Sequence, residues 1–367
     1  MKHALILLLS LIPIITLAQA DQINSAIAKQ GEAFLKNKDI TSVSIGVYKN
    51  GQTYTQHFGS LVKGQDVAPT DQTIYEIGSV SKTMTGYLVA KAVIDNKLNL
   101  SDEVTQYLPA GYDNLAFNEQ PITIQHLLTH TSGLPMFLPE DVNGLFESLS
   151  PDVPQKYLET EKDYSKAKFL KDLENVILTQ APGNEYAYSN VGAELLGYIL
   201  ETAYGQNLDK LLQEAFLNEL KMSNTRIELS TKQKNLAKGY WMSNKQQSPN
   251  QLNTLWGTAG GVKMNMEDLL KYMALQLNCE NPIVSESHRE LFARGKTAKL
   301  AYFWNVWTDK YGTSYNHHGG TSGTQNWLYI FPKYKLGISI ITNNSGPKTP
   351  TLLNKTVKKL LKDIVKD

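Results

Sequence analysis

The chain has 367 residues, with 36 Lys plus Arg against 35 Asp plus Glu, 41% hydrophobic residues and one cysteine. This is the composition of a globular protein with ample core material, and it excludes an intrinsically disordered chain, a disulfide scaffold and a collagen-like repeat. The near-zero net charge provides no general attraction for nucleic acid, and Cys279 alone can form neither an intramolecular disulfide nor an all-cysteine zinc site.

The first residues have the pattern of an export leader. Lys2 and His3 are followed by an almost wholly apolar run over residues 4–17, and Ala18-Gln19-Ala20 offers the small-x-small pattern of a cleavage site. The spacing predicts a signal peptide over residues 1–20 and a mature chain from Asp21. About 14 apolar residues interrupted by Pro13 fall short of the roughly 20 needed to span a bilayer. No transmembrane segment is therefore expected in the mature chain, which is assigned to the periplasm or the secreted fraction.

An amphipathic helix is predicted over residues 23–35. Strands are expected over 42–48 and 53–59, joined by Asn50-Gly51, a strong two-residue hairpin signal. From 76 to 250 the pattern is mainly helical, with turn clusters at 109–113, 135–154 and 182–184. Strands return at 303–308, 324–331 and 336–342, before a basic helix over about 350–365. Strand material at both ends predicts an α/β (α+β) fold with one sheet assembled from residues 21–75 and 251–367, interrupted by a mainly helical domain over 76–250. The proline-rich, charged stretch 135–165 reads as an excursion or lid.

Three motifs carry chemistry. Ser79-Val80-Ser81-Lys82 precedes a helical run, and residues three apart share a helix face, so Ser79 meets Lys82 while Ser81 points elsewhere. A serine hydroxyl needs a neighbour to take its proton, and a desolvated lysine can do so. Pro182-Gly183 leads into Tyr188-Ser189-Asn190 at the start of a second helix. His317-His318-Gly319-Gly320-Thr321 precedes an apolar strand, where consecutive glycines let backbone approach a ligand.

S-x-x-K, Y-x-N and an H-x-G element in this order resemble the serine β-lactamase and penicillin-binding superfamily, in its class C, D-alanyl-D-alanine carboxypeptidase, D-aminopeptidase and esterase branch. The segments 127–134 and 259–262 add to the likeness, which covers most of residues 40–345. The resemblance implies a central antiparallel sheet flanked by helices, with the site where an inserted helical region meets it. It also implies that Ser79 is acylated and that Lys82 and a Tyr188 phenolate share the proton transfers. Asn190 would bind the substrate amide, and the backbone N–H groups of Ser79 and Thr321, the latter on an edge strand, would hold the oxyanion. No metal or organic cofactor is implied. The partner would be a small molecule or short peptide, in one reading derived from cell wall.

The departure lies at His318-Gly319-Gly320, where β-lactamases carry Lys-Thr-Gly. An unperturbed histidine is mostly neutral at pH 7 and holds a carboxylate less firmly than lysine. Three activities stay open: hydrolysis of D-amino-acid peptides or amides, which is favoured, an esterase, and a true β-lactamase. A non-catalytic sensor of peptidoglycan or β-lactam is the alternative of another class.

Other features are given structural roles. His126 and His130 lack the glutamate of a zinc protease motif. Cys279 is expected in the core. Tyr302, Phe303, Trp304, Trp307 and Tyr311 are divided between core and cleft, and Lys355, Lys358, Lys359, Lys362 and Lys366 are expected on a solvated helix face.

Overall fold

The computed structural model describes residues 2–229, 235–242, 246–251 and 253–365, with side chains from residue 18 onward. Helix α1 (Lys2–Leu35) contains the predicted 23–35 helix and runs through the expected leader without a break. Strands β1 (Ser42–Lys49) and β2 (Gln52–Gly59) form the predicted hairpin. Its turn places Asn50 at φ 51° and Gly51 at φ 87°, the left-handed pair that matches strand twist and favours Asn-Gly.

Strand β3 (Ile74–Glu76) leads into helix α2 (Ser81–Ile94). The middle of the chain holds α3 (Val153–Glu161) and α4 (Asn190–Tyr204), followed by β4 (Lys263–Asn265), which pairs with β3, and α5 (Met266–Gln276). Strands β5 (Phe292–Ala293), β6 (Ala298–Leu300), β7 (Asn305–Asp309), β8 (Gly312–Gly320), β9 (Gln325–Phe331) and β10 (Leu336–Thr342) precede the last helix, α6 (Thr349–Ile364).

The main sheet is antiparallel in the order β2-β1-β10-β9-β8-β7-β6-β5. Its seam is the pairing of β1 with β10, Ser44 opposite Ile341, which joins the two ends of the chain as the mixed pattern predicts. Helices α1 and α6 cover one face through Ile23, Ile27, Phe34, Leu353, Val357 and Leu360, packed on Val43, Ile45 and Ile340. The larger core lies on the other face, where α2, α4 and α5 pack. β1 alternates between the two faces: Val43, Ile45 and Val47 lie in the core under α1 and α6, while Ser44 bonds Tyr75 and Gly46 meets Met266 and Leu270 of α5 on the other side.

Several expectations are corrected. The strand expected from 303 starts at Asn305, because Phe303 takes φ 63° and breaks the extended backbone. His317 to Gly320 precede the expected apolar strand, β9, and also end a strand of their own, β8, which is interior: β8 lies between β9 and β7. Pairing with β7 stops at Asn316, so the last four residues of β8 are open on that side. Cys279 is exposed, since it sits in the turn after α5 and not on the helix's buried face. Lys355, Lys358, Lys359 and Lys362 lie on the exposed face of α6, and Lys366 is outside the described residues. Among the described residues, no helix is long and apolar enough to cross a membrane.

Candidate active site

Ser79 is held by a tight turn that glycine permits. Gly78 adopts φ 52°, and a Cβ there would lie 2.5 Å from Gly320 N, so only glycine lets the start of α2 approach the end of β8 this closely. From this turn Ser79 and Lys82 project to one side, with Nζ 3.2 Å from Oγ. Ser81 turns away and donates to Gly78 O.

Tyr188 arrives from the turn before α4. Ser189 caps that helix by accepting from Gly192 N at 2.9 Å, and its own N–H donates to His130 Nδ1 at 3.2 Å. This fixes Tyr188 so that its hydroxyl donates to Ser79 Oγ at 2.6 Å. Asn190 Oδ1 accepts from Lys82 Nζ at 2.7 Å, and Ala259 O accepts from the same nitrogen. The structure thus brings Ser79, Lys82, Tyr188 and Asn190 together from α2 and α4.

Electrostatics decide between the two proton acceptors. Burial lowers the Lys82 ammonium well below the ordinary lysine range, against the opposing charge of Glu194. Burial pushes the Tyr188 phenol up, more than its hydrogen bond with Ser79 lowers it. Both shifts run toward the uncharged forms, an amine at Lys82 and a phenol at Tyr188. Lys82 Nζ has three oxygen neighbours, Ser79 Oγ, Asn190 Oδ1 and Ala259 O, to which an ammonium donates all its hydrogens. A neutral amine that donates to Asn190 and Ala259 turns its lone pair to the Ser79 hydroxyl, while Tyr188 donates to Ser79 Oγ. A Tyr188 phenolate, expected from the resemblance, finds no support in this environment.

The two histidines of β8 face opposite ways, as strand neighbours must. His317 is 5% exposed and turns toward the catalytic interior, where Nδ1–H donates to Phe303 O at 2.8 Å and leaves Nε2 as an acceptor. Burial, with Lys82 nearby, holds its pKa down at about 3. His318 bonds Gln325 Oε1 at 3.2 Å and packs on Trp327. Burial lowers its pKa too, so neither ring is a cation at neutral pH. Both rings line the cavity at Ser79, and His317 is the one that lies near Lys82.

The expectation for Thr321 also changes. Its N–H donates to Thr324 O at 2.9 Å in the turn after β8 and is not free for an oxyanion. N–H directions alternate along an antiparallel strand, so the Gly320 N–H points the other way, past the end of β7. Gly320 lines the cavity beside Ser79. Gly319 does not: a Cβ there would meet Ile77 O at 2.0 Å. The Thr321 side chain reaches the cavity wall while bonding Glu76 Oε2 at 3.1 Å.

Ser79 opens into a cavity of about 550 Å³. The 135–165 excursion supplies one wall with Met136, Phe137, Phe146, Leu149 and Tyr157, and Trp241 and Trp256 pack against Phe146 and Phe137 in the same lining. No Lys or Arg is among the described residues that line it. From the C-terminal aromatic group only Phe303 reaches the cavity, while Tyr302 and Trp304 are buried in the core. His126 closes a capping box by accepting from Thr123 N.

Sequence reasoning missed Glu194, while His130 has the packing and hydrogen-bonding role expected of it. His130 is buried against Tyr188, with ring centroids 4.4 Å apart. Glu194 lies one helical turn after Asn190, and an acid inside the apolar run of α4 was the available signal. Its carboxylate accepts from Thr258 Oγ1 at 2.6 Å, and burial raises its pKa to about 8.

A serine hydroxyl between an amine and a phenol, beside a free backbone N–H, is the constellation of an acyl-transferring serine hydrolase. A family model described as Beta-lactamase matches residues 26–362, and the chain belongs to that family. Among curated proteins, a "Beta-lactamase" of Providencia stuartii is 31% identical over 263 residues, covering 70% of this chain and 60% of that protein. "Protein flp" of Staphylococcus aureus (strain N315) is 27% identical over 328 residues, covering 87% of this chain and 63% of the relative. The chain thus spans about three fifths of the length of these relatives.

Solved structures with this fold include a β-lactamase/D-alanine carboxypeptidase from Yersinia pestis complexed with citrate (TM-score 0.79, 22% identity, 94% of this chain and 99% of that chain). A class C β-lactamase gives a TM-score of 0.79 at 21% identity, covering 94% of this chain and 97% of that chain. At these identities the likeness concerns the fold.

Proposed function

We propose that the chain is an exported serine hydrolase that cleaves amide or ester bonds through an acyl-enzyme on Ser79, with D-amino-acid peptides or amides as the favoured substrates. The observation that carries this reading is the position of Ser79 Oγ, 3.2 Å from a desolvated Lys82 amine and 2.6 Å from the Tyr188 hydroxyl. Export rests on the apolar leader and its Ala18-Gln19-Ala20 site. The preference over penicillins rests on a cavity whose described lining has no fixed cation to hold a carboxylate.

In the reaction, Lys82 Nζ takes the Ser79 proton as Oγ attacks the scissile carbonyl. The resulting oxyanion lies between the N–H groups of Ser79 and Gly320. Tyr188 gives its proton to the leaving amine or alcohol and is reprotonated by Lys82, while Asn190 holds Lys82 and meets the substrate amide. Water then attacks the ester, Lys82 again takes the proton, and Ser79 leaves as the alcohol.

A fluorophosphonate probe tests the reading. Labelling of the wild type and not of Ser79→Ala supports it, and failure to label either favours the binding-only sensor. D-amino-acid p-nitroanilides, simple p-nitrophenyl esters and a penicillin then separate the three activities.

A further inference from the structure

A second cavity, of about 250 Å³, adjoins the first and shares Tyr157, Gln251, Trp256 and Ser322 with it. Glu161 lines it. That residue is 3% exposed, accepts from Trp256 Nε1 through Oε2, and has no hydrogen-bond partner for Oε1 among the described residues. Nothing in the catalytic scheme uses it.

We propose that this cavity is a cation subsite, in which Glu161 receives an ammonium group carried by the acyl part of the substrate. The assignment rests on the hydrolase reading and narrows its substrate class.

An isolated buried carboxylate is costly unless it is paired or neutralised. No basic side chain forms an ion pair with Glu161 among the described residues, and Lys162, which also borders the cavity, has an exposed side chain. Burial raises the Glu161 carboxyl to about 7, so an arriving cation needs only a modest push to ionise it. Trp256 and Tyr157 line the same space, and aromatic faces attract ammonium groups.

Reach sets the position of the charge on the substrate. Trp256 lines both cavities and its indole N–H donates to Glu161 Oε2, so the indole stands where the cavity at Ser79 meets the space at Glu161. An ammonium on the carbon next to the scissile carbonyl stays in the first cavity with Ser79. One separated from the carbonyl by several methylenes passes the indole. The substrate is thus an amide or ester of a long ω-amino or lysine-like acyl group, with no need for a carboxylate.

The test compares 6-aminohexanoyl p-nitroanilide with heptanoyl p-nitroanilide, which has nearly the same shape and no charge. Wild type is expected to favour the amino substrate in kcat/KM by about tenfold or more, and Glu161→Gln is expected to bring the ratio near one. A wild-type preference for heptanoyl, or an amino preference that persists in Glu161→Gln, overturns the subsite.

A binding measurement stands apart from catalysis and from the folding of the variant. Hexylammonium should quench tryptophan fluorescence of wild type and Ser79→Ala at concentrations where hexanol does not, and equal responses overturn the proposal. Absence of fluorophosphonate labelling would instead reject the hydrolase reading, leaving the fluorescence result to decide the subsite.

Discussion

Lys82 Nζ lies 3.2 Å from Ser79 Oγ and is held there by two acceptors that would occupy both hydrogens of the neutral amine. The serine therefore faces a lone pair whenever the lysine is uncharged. Lys82→Arg keeps the length and fixes the charge, so acylation should fall by about a hundredfold to ten-thousandfold, as after loss of a general base. Burst kinetics with a p-nitrophenyl ester would check this. In the wild type, kcat/KM should fall on the acid side as Lys82 gains a proton; a profile that is unchanged by Lys82→Arg contradicts the role.

Gly320 separates backbone from side-chain effects. A Cβ there meets its nearest atom, His318 Cε1, at 3.4 Å, so Gly320→Ala should keep most of its activity. Gly320→Pro removes an N–H that no ladder bond needs and should lower kcat by about a hundred- to a thousandfold, the usual loss for an oxyanion donor. Equal activity of the two variants, each with a normal melting transition, would remove Gly320 from the oxyanion site.

Glu194 links stability to pH. Its carboxyl is raised by burial from 4.5 to about 8, so between these values the native state holds a proton that the unfolded chain has lost. Stability therefore declines as pH rises across that window, and the decline ends above the folded-state value. Glu194→Gln should reduce this slope, which melting temperatures from pH 5 to 8 would show. A variant with the wild-type slope would mean that Glu194 is ionised throughout.

Penicillin should be a poor acylating agent, because the described cavity lining has no fixed cation and both β8 histidines are held neutral. Intact mass followed over time should show no lasting adduct on the wild type and little loss of drug. A persistent adduct absent from Ser79→Ala would place the chain with penicillin-recognising peptidases. Rapid drug loss without an adduct would make it a β-lactamase.

That Ser79, Lys82, Tyr188 and Asn190 come together was legible because its logic is local. Ser79 and Lys82 share a helix face at a spacing of three, and Tyr188 and Asn190 flank a helix cap. The hairpin at Asn50-Gly51 was legible for the same reason, since two left-handed residues are a property of the dipeptide. The choice between His317 and His318 was not, because it depends on the parity of β8, set by pairings with β7 and β9 far along the chain. Thr321 was misjudged for a related reason: its N–H is consumed by a turn that closes on Thr324. The aromatic wall of the cavity comes from an excursion without periodicity, and only the fold brings Phe137, Tyr157 and Trp256 to one place.

The seam between β1 and β10 also has a meaning in time. Ser42 and Asn343, hydrogen-bonded beside that seam, are 301 positions apart in sequence, so β1 lacks one of its two neighbours until nearly the whole polypeptide has left the ribosome. Contacts that distant make assembly slow. Gly320, which abuts the turn that holds Ser79, is likewise made late. Through most of synthesis that turn lacks the strand end it packs against in the finished chain.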